Sequence, residues 1–255
     1  MIEQLVDQVS SYASDIDGVI ILIGWFCAVW FVLAEVVFFG FCFFFRRKEG
    51  KKALYVSGEQ PNEKKWIFWP HIAVLVCDVF IIFAAVRVWV DVKQTLPPME
   101  KEVRVTAQQW GWNFQHPGAD GQLGEADCVS NKSCDDIMTT DTLYIQEGIV
   151  YHYHLRSKDV MHDFSVPAFR LKQDAIPGRV ITGWFQAEKT GNYMIQCAEM
   201  CGIGHGLMPA RIAIEPKAQH AAWIQERPET KLAAARIKAT RELAKANTKN
   251  SEEIR

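Results

Sequence analysis

The chain has 255 residues, 49% of them hydrophobic and 23% charged, with 28 Lys/Arg against 30 Asp/Glu and a formal net charge of −2. That balance leaves no basic excess for a nucleic-acid partner, whose phosphates demand one. Two long apolar runs hold much of the hydrophobic content, so a wholly soluble chain is excluded.

Residues 1–18 contain Glu3, Asp7, Asp15 and Asp17 and no base, so they lack the cationic start of a signal peptide. From Val19 to Phe45 the chain is apolar except for Glu35. This exceeds the roughly 20 residues that a membrane-spanning helix needs. A second apolar run, Trp66 to Val90, is interrupted by Asp78 and Arg87. The connector 46–65 carries seven Lys/Arg against three Glu, which places it in the cytoplasm and both chain ends outside. A transmembrane helical hairpin over 19–90 follows, with helices at about 19–45 and 66–90. Trp25, Trp30, Trp66, Trp69 and Trp89 supply interface anchors or helix contacts. Glu35 and Asp78 are costly in hydrocarbon and are read as neutral acids bonded to a neighbouring helix. Glu63 lies at the cytoplasmic edge, where an acid suits the positive end of the helix dipole.

Residues 91–216 form an outer domain. Strand-like runs occur at Glu102–Thr106, Thr142–Gln146, Val150–Leu155, Val180–Phe185, Tyr193–Cys197 and Ala210–Ile214. Short β-rich segments between Gly, Pro, Asp and Asn predict a β-sandwich large enough to bury a core without staples. His152 and His154 alternate on one strand face without a nearby cysteine, and are left out of any site. Cys27, Cys42 and Cys77 fall in the apolar runs and read as inert packers. Cys128 and Cys134 flank the polar insert 127–136, where a short disulfide loop is one option in an oxidising compartment. No Cys-x-x-Cys-His occurs, so no fused c-type haem is indicated.

The chemistry concentrates between Cys197 and Met208. Cys197, Glu199, Cys201, His205 and Met208 fall within one loop between two strands, with Gly202, Gly204 and Gly206 letting the backbone turn tightly. Thiolate and thioether are soft donors that suit copper, and imidazole accepts copper readily. A Cys-x-x-x-Cys pair alone is often a disulfide, a redox pair or two buried thiols. A Cys2His2 zinc site usually has closer cysteines and a second His at defined distance, and neither alternative uses Met208. A second imidazole from elsewhere separates these readings, and His162 offers it. Beyond Pro216 the chain turns to Ala, Lys, Arg, Glu and Gln, with nine bases against five acids over 217–255. This predicts a helical, surface-docked extension that frays near Asn247–Asn250.

The chain resembles subunit II of the haem-copper cytochrome c oxidases. The resemblance rests on Asp159–His162, Lys172–Arg179, Cys197–Met208, Gln109–Trp112, and Glu63–Trp66 followed by Pro70. It implies two transmembrane helices, an all-β cupredoxin-like sandwich carrying the binuclear copper centre CuA, and a C-terminal helical extension. Cys197 and Cys201 are then the bridging thiolates. His162 and Met208 complete one copper, and His205 with the backbone carbonyl of Glu199 completes the other. The Glu199 carboxylate matches a magnesium ligand shared with subunit I, and Asp174 and Arg179 match that subunit's contact. Trp110 matches the entry point for electrons from cytochrome c or an equivalent donor, and Glu63 the mouth of a proton-uptake path. The chain departs from the usual pattern at Gly111, where an aromatic is usual, at Lys64 and Lys65 beside Glu63, and in its longer insert 127–136.

With no coordination position left open, the centre is an electron relay, and oxygen reduction coupled to proton pumping falls to the haem-bearing subunit I. Expected partners are subunit I, other oxidase subunits, the electron donor and membrane lipid, in an inner-membrane protein with its copper domain on the periplasmic side. Residues 91–216 hold 16 acids and 11 bases, a net of −5, which would steer a basic cytochrome c. The CuA subunit of a nitric oxide reductase shares this design. A membrane-tethered copper-delivery protein predicts a βαβ pattern and one anchor. A nitrous oxide reductase would need a second, larger domain, and a quinol oxidase subunit would not need the copper donors.

Overall fold

In the computed structural model, the structure describes residues 5–52, 55–118, 120–124, 135–229, 231–232 and 235. They fall into two units, Ser14–Gln94 and the remainder of the chain. The first unit holds helices α1 (Ala13–Phe44) and α2 (Pro61–Trp89), the latter running into a π-helical turn, Val90–Gln94. At 1.5 Å per residue, helices of 32 and 29 residues are about 48 and 44 Å long, more than the ~30 Å hydrocarbon layer. Both begin earlier than the apolar runs predicted, at Ala13 instead of Val19 and at Pro61 instead of Trp66. Backbone hydrogen bonding continues into polar flanking turns, whereas the apolar run reports only the stretch that needs lipid. Pro61 suits its place in the first turn, where a missing N–H costs nothing. Phe31, Phe38, Phe39, Trp66, Trp69 and Phe83 are each more than half exposed, an apolar surface fitted to lipid.

The second unit is a β-sandwich of ten strands. They are β1 (Lys101–Gln108), β2 (Gly111–His116), β3 (Ile137–Thr140), β4 (Thr142–Gln146), β5 (Val150–Ser157), β6 (His162–Val166), β7 (Leu171–Ala175), β8 (Ile181–Gln186), β9 (Gly191–Cys197) and β10 (Ala210–Glu215). One sheet has the order β3-β2-β1-β5-β8 and the other β4-β10-β9-β6-β7. Among the described residues, only β1/β5 and β4/β10 are strand pairs that run in parallel. In β5 the burial alternates strictly, placing Tyr151, Tyr153 and Leu155 inward. Phe185 stacks on Tyr151 and Tyr153 at 5.8 and 5.9 Å, and Phe164 packs on Tyr153 and Trp112 at 6.1 and 5.6 Å. The core aromatics thus form a continuous ladder between the sheets. Gly183 makes room for it, since a Cβ there would collide with the Tyr153 hydroxyl.

Residues 5–13, expected to be part of a separate external segment, belong to this sandwich. Val9 N–H donates to Ala168 O (3.0 Å), Ser11 N–H to Gln186 O (3.0 Å) and Ser10 Oγ to Phe169 O (2.9 Å). Arg170 holds the carbonyls of Val6 and Asp7, and Tyr12 sits edge-on against Trp184. Burial pushes the Tyr12 hydroxyl far above its ordinary range. The strap is too short and too polar to read as a strand, yet it ties down backbone that otherwise frays.

Helix α3 (Lys217–Glu226) caps the β4 side of the sandwich. Trp223 stacks on Tyr144 at 4.5 Å, His116 meets its ring edge at 5.2 Å, and the Arg227 guanidinium lies 4.5 Å over it. Beyond Glu226 only 227–229, 231–232 and 235 of the predicted extension are described; Asn247–Asn250, Cys128 and Cys134 lie outside the described residues. Burial, with His220 and Arg227 adding, holds His116 down to about 3, and burial with Lys101 holds His220 down to about 4. Each histidine stays neutral in the fold but takes up a proton below about 6.5 once unfolded. Stability is therefore lost as pH falls from about 6.5 toward those folded values. Glu215, whose Oε2 lies 3.4 Å from His220 Nδ1, is raised by burial and acts in the opposite sense. At pH 5 each histidine removes about 2 kcal/mol relative to pH 7. Urea unfolding followed by tryptophan fluorescence should show this loss, and His116→Gln should shrink it by about half. A variant that keeps the full loss contradicts the assignment.

Candidate metal centre

The donors converge at one end of the second sheet. Strand β9 ends on Cys197, the chain loops through Cys201 and a 3-10 turn at His205–Leu207, and β10 starts just after Met208. His162 opens β6, which pairs with β9 in the register Phe164↔Cys197. That register delivers an imidazole from 35 positions away beside the first cysteine. His162 Nδ1 is 3.9 Å from Cys197 Sγ, and the donor atoms of His162, Cys197 and Cys201 lie within 4.8 Å of one another. The two sulfurs are 3.9 Å apart, far beyond a disulfide bond. Cys201 Sγ lies 3.5 Å from His205 Nδ1 and 3.5 Å from Met208 Sδ, while Cys197 Sγ lies 3.2 Å from the Glu199 carbonyl oxygen. His162, Cys201 and Met208 are buried, and His205 is half-buried.

A set of outer contacts fixes these donors. Asp159 Oδ1 lies 2.9 Å from His162 Nε2, so this ring nitrogen is held from behind and Nδ1 is left facing the sulfurs. The other Asp159 oxygen accepts the Gln109 amide at 2.7 Å. Burial alone would raise the Asp159 carboxyl, but hydrogen bonds from Gln109, His162 and Val160 bring it below its ordinary value. Gln109 Nε2 and Trp110 Nε1 both donate to the Cys201 carbonyl, at 2.9 and 3.3 Å. Trp112 Nε1 donates to the Met208 carbonyl at 2.9 Å, and its ring lies 6.3 Å from that of His162. Gly202 has φ +119, and a Cβ on Gly204 would collide with the Trp110 indole, so the loop's glycines are required where that ring packs.

The residues fit a soft metal. Burial, and then the neighbouring Cys197, push the Cys201 thiol up to about 11, so two thiolates side by side require a cation to offset them. Two thiols, two imidazoles presenting Nδ1, a thioether and a carbonyl form a donor set suited to copper. Each sulfur neighbours one donor from each of the two ligand sets implied by the resemblance. Removing the outer carboxylate with Asp159→Ala is expected to weaken copper retention about 10- to 100-fold in a chelator titration. Unchanged retention contradicts its positioning role.

The other candidate residues are placed as follows. Trp110 is partly exposed on the loop's outer side. Glu199 is half-buried, and its charge is felt by Asp163, which burial raises to about 6 while Lys172 opposes and Asp174 adds to the rise. Asp163 Oδ1 has no hydrogen-bond partner among the described residues. Asp174 is exposed opposite Asp163 in the β6/β7 register, and Arg179 follows in the turn after β7. Glu63 lies in the first turn of α2, where its Oε2 accepts the Gly58 amide at 2.8 Å. His152 meets the Pro97 carbonyl and His154 meets Glu102, each at 2.9 Å, apart from the cysteines. Sequence reasoning missed the roles of Gln109, Trp112 and Asp159. The spacing of Asp159 three residues before His162 was the available signal.

Comparison with known proteins identifies the family. The family described as cytochrome C oxidase subunit II, periplasmic domain, matches residues 101–215. The alternative cytochrome c oxidase subunit 2 of Bradyrhizobium diazoefficiens is 34% identical over 209 residues, covering 76% of this chain and 73% of the relative. Cytochrome c oxidase subunit 2 of Cereibacter sphaeroides is 28% identical over 204 residues, covering 71% of this chain and 66% of the relative. A crystal structure of the periplasmic domain of subunit II of cytochrome oxidase from Bradyrhizobium japonicum, 30% identical, covers 51% of this chain and 95% of its own with a TM-score of 0.43. With its two apolar helices and its sulfur-rich loop, the chain is a membrane-anchored member of the cytochrome c oxidase subunit II family, the CuA-bearing subunit.

Proposed function

We propose that this chain takes electrons from cytochrome c or an equivalent donor and passes them to a haem of subunit I, where oxygen reduction is coupled to proton pumping. The observation that carries the reading is the convergence of Cys197, Cys201, His162, His205 and Met208 on one point, with the sulfurs unbonded to each other. In this reading Cys197, Cys201, His162, His205, Met208 and the Glu199 carbonyl would together hold a pair of copper ions. When bound, such a copper pair would supply a one-electron carrier.

The chain's own residues keep movement at these donors small. Asp159 locks the His162 ring, Trp112 fixes the backbone at Met208, and Gln109 with Trp110 fixes it at Cys201. The sandwich beneath is packed by large aromatics with fixed rotamers. Trp110 gives the donor's electron a hydrogen-bonded route through the Cys201 carbonyl to its sulfur. The Glu199 carboxylate, beside Asp163 and Asp174, offers hard oxygen donors suited to a magnesium ion shared with subunit I. Glu63 marks the cytoplasmic mouth of a proton path, with the basic connector inside and the copper domain outside.

Purified with its partner subunits, the chain is expected to support oxygen uptake driven by reduced cytochrome c, with acidification of the outer side in sealed vesicles. Nitric oxide consumption without oxygen uptake contradicts the proposal.

A further inference from the structure

Two of the donors flank the strand that carries Cys197. His162 opens β6 and Met208 lies just ahead of β10, and these strands sit on either side of β9 in the second sheet. One side chain of the first sheet reaches across the core to both. Trp112, on β2, is fully buried, so its indole fills space between the sheets. Its Nε1–H donates to the Met208 carbonyl at 2.9 Å, and its ring lies 6.3 Å from that of His162 and 5.6 Å from that of Phe164.

The main chain ties the same residues a second time. Between β3 of the first sheet and β4 of the second stands Asp141, where the chain crosses over. The Asp141 amide donates to the Trp112 carbonyl at 3.3 Å, and its carbonyl accepts the Arg211 amide, near the start of β10, at 2.8 Å. Its φ of +60 is left-handed, a conformation that Asp tolerates and a β-branched residue does not. Trp112, Asp141, Arg211 and Met208 thus close a ring of hydrogen bonds and main chain across both sheets. The Met208 carbonyl belongs to a residue buried in the core, where an unpaired carbonyl is costly, so its position follows the indole. Its thioether, 3.5 Å from Cys201 Sγ, is a weak donor, held at a metal by the protein around it more than by its own affinity.

We propose that Trp112 is a positioning residue that sets the reach of the Met208 thioether, and through it the reduction potential of the centre. This rests on the electron-relay reading and adds how that relay is poised. The first sheet supplies none of the six donors, yet through one indole it controls the softest of the contacts they make.

The test is redox titration of the copper-loaded full chain, read with its paramagnetic resonance spectrum and copper content. Trp112→Phe keeps a ring against His162 and Phe164 but has no N–H for the Met208 carbonyl. Both coppers should stay bound and the hyperfine pattern should change. The one-electron equilibrium should move about tenfold toward the reduced form, a rise of about 59 mV, because a looser thioether gives less electron density to the oxidised pair. Asp141→Val disturbs the same ring from the main chain and should move both readouts the same way. Phe185→Leu loosens the core against Tyr151 and Tyr153 instead, so it should lower the unfolding midpoint and leave both readouts as they are. Folded Trp112→Phe and Asp141→Val chains with unchanged potential and spectrum, or the same change produced by Phe185→Leu, overturn the positioning role alone. Absence of a two-copper signal from the unaltered chain overturns the relay and the positioning role together.

Discussion

Cys201→Ser is expected to remove the copper pair and lower electron entry from cytochrome c by more than about 100-fold, beyond the 10- to 100-fold cost of outer-contact changes. The hydroxyl that replaces the thiol is hard and weakly acidic, so it cannot bridge two soft ions. Cys201 Sγ also lies 3.5 Å from both His205 Nδ1 and Met208 Sδ, so its loss disconnects a donor from each ligand set. The chain should still fold, because the loop lies outside the aromatic core and the side chain keeps its size. Copper analysis, circular dichroism and single-turnover reduction together check this. Full electron entry in a folded variant contradicts the bridging role.

Phe164→Ala is expected to cost about 3–5 kcal/mol, the range for emptying a buried phenylalanine site. Phe164 is fully buried against Trp112 and Tyr153, and neither sheet can close over the void without moving the other. Phe164 lies two positions along β6 from His162, and its register partner is Cys197. The cavity should therefore also loosen the imidazole relative to the sulfurs. Denaturant unfolding should show the stability loss, and copper retention should fall with it. A loss under about 1 kcal/mol contradicts the core role assigned to this ring.

Much of this was legible in the sequence, for identifiable reasons. The apolar runs 19–45 and 66–90 mark the helices because lipid demands unbroken hydrophobicity, yet they miss the polar turns in which Ala13 and Pro61 begin the hydrogen-bonded helix. Strand β5 was legible from its alternation, Tyr151 and Tyr153 inward and His152 and His154 outward. Strand β6 was legible as a strand-like stretch opening at His162 but not by alternation, since all five of its residues are buried and no period of two survives. Four side-chain donors of the centre, Cys197, Cys201, His205 and Met208, are local in sequence and announce themselves. The remaining imidazole, His162, stands as a candidate in the sequence, but what brings it to the sulfurs is the β6/β9 pairing, which a single sequence does not encode visibly. Asp159, Gln109 and Trp112 act through hydrogen bonds to donors or their backbone, a geometry with no compositional mark.

Electron paramagnetic resonance of the copper-loaded full chain, read with its copper content, tests the account most directly. Two coppers per chain and a hyperfine pattern from one unpaired electron shared equally by both nuclei are predicted. A single-copper spectrum, or a shared-spin spectrum that survives His162→Ala unaltered, contradicts it.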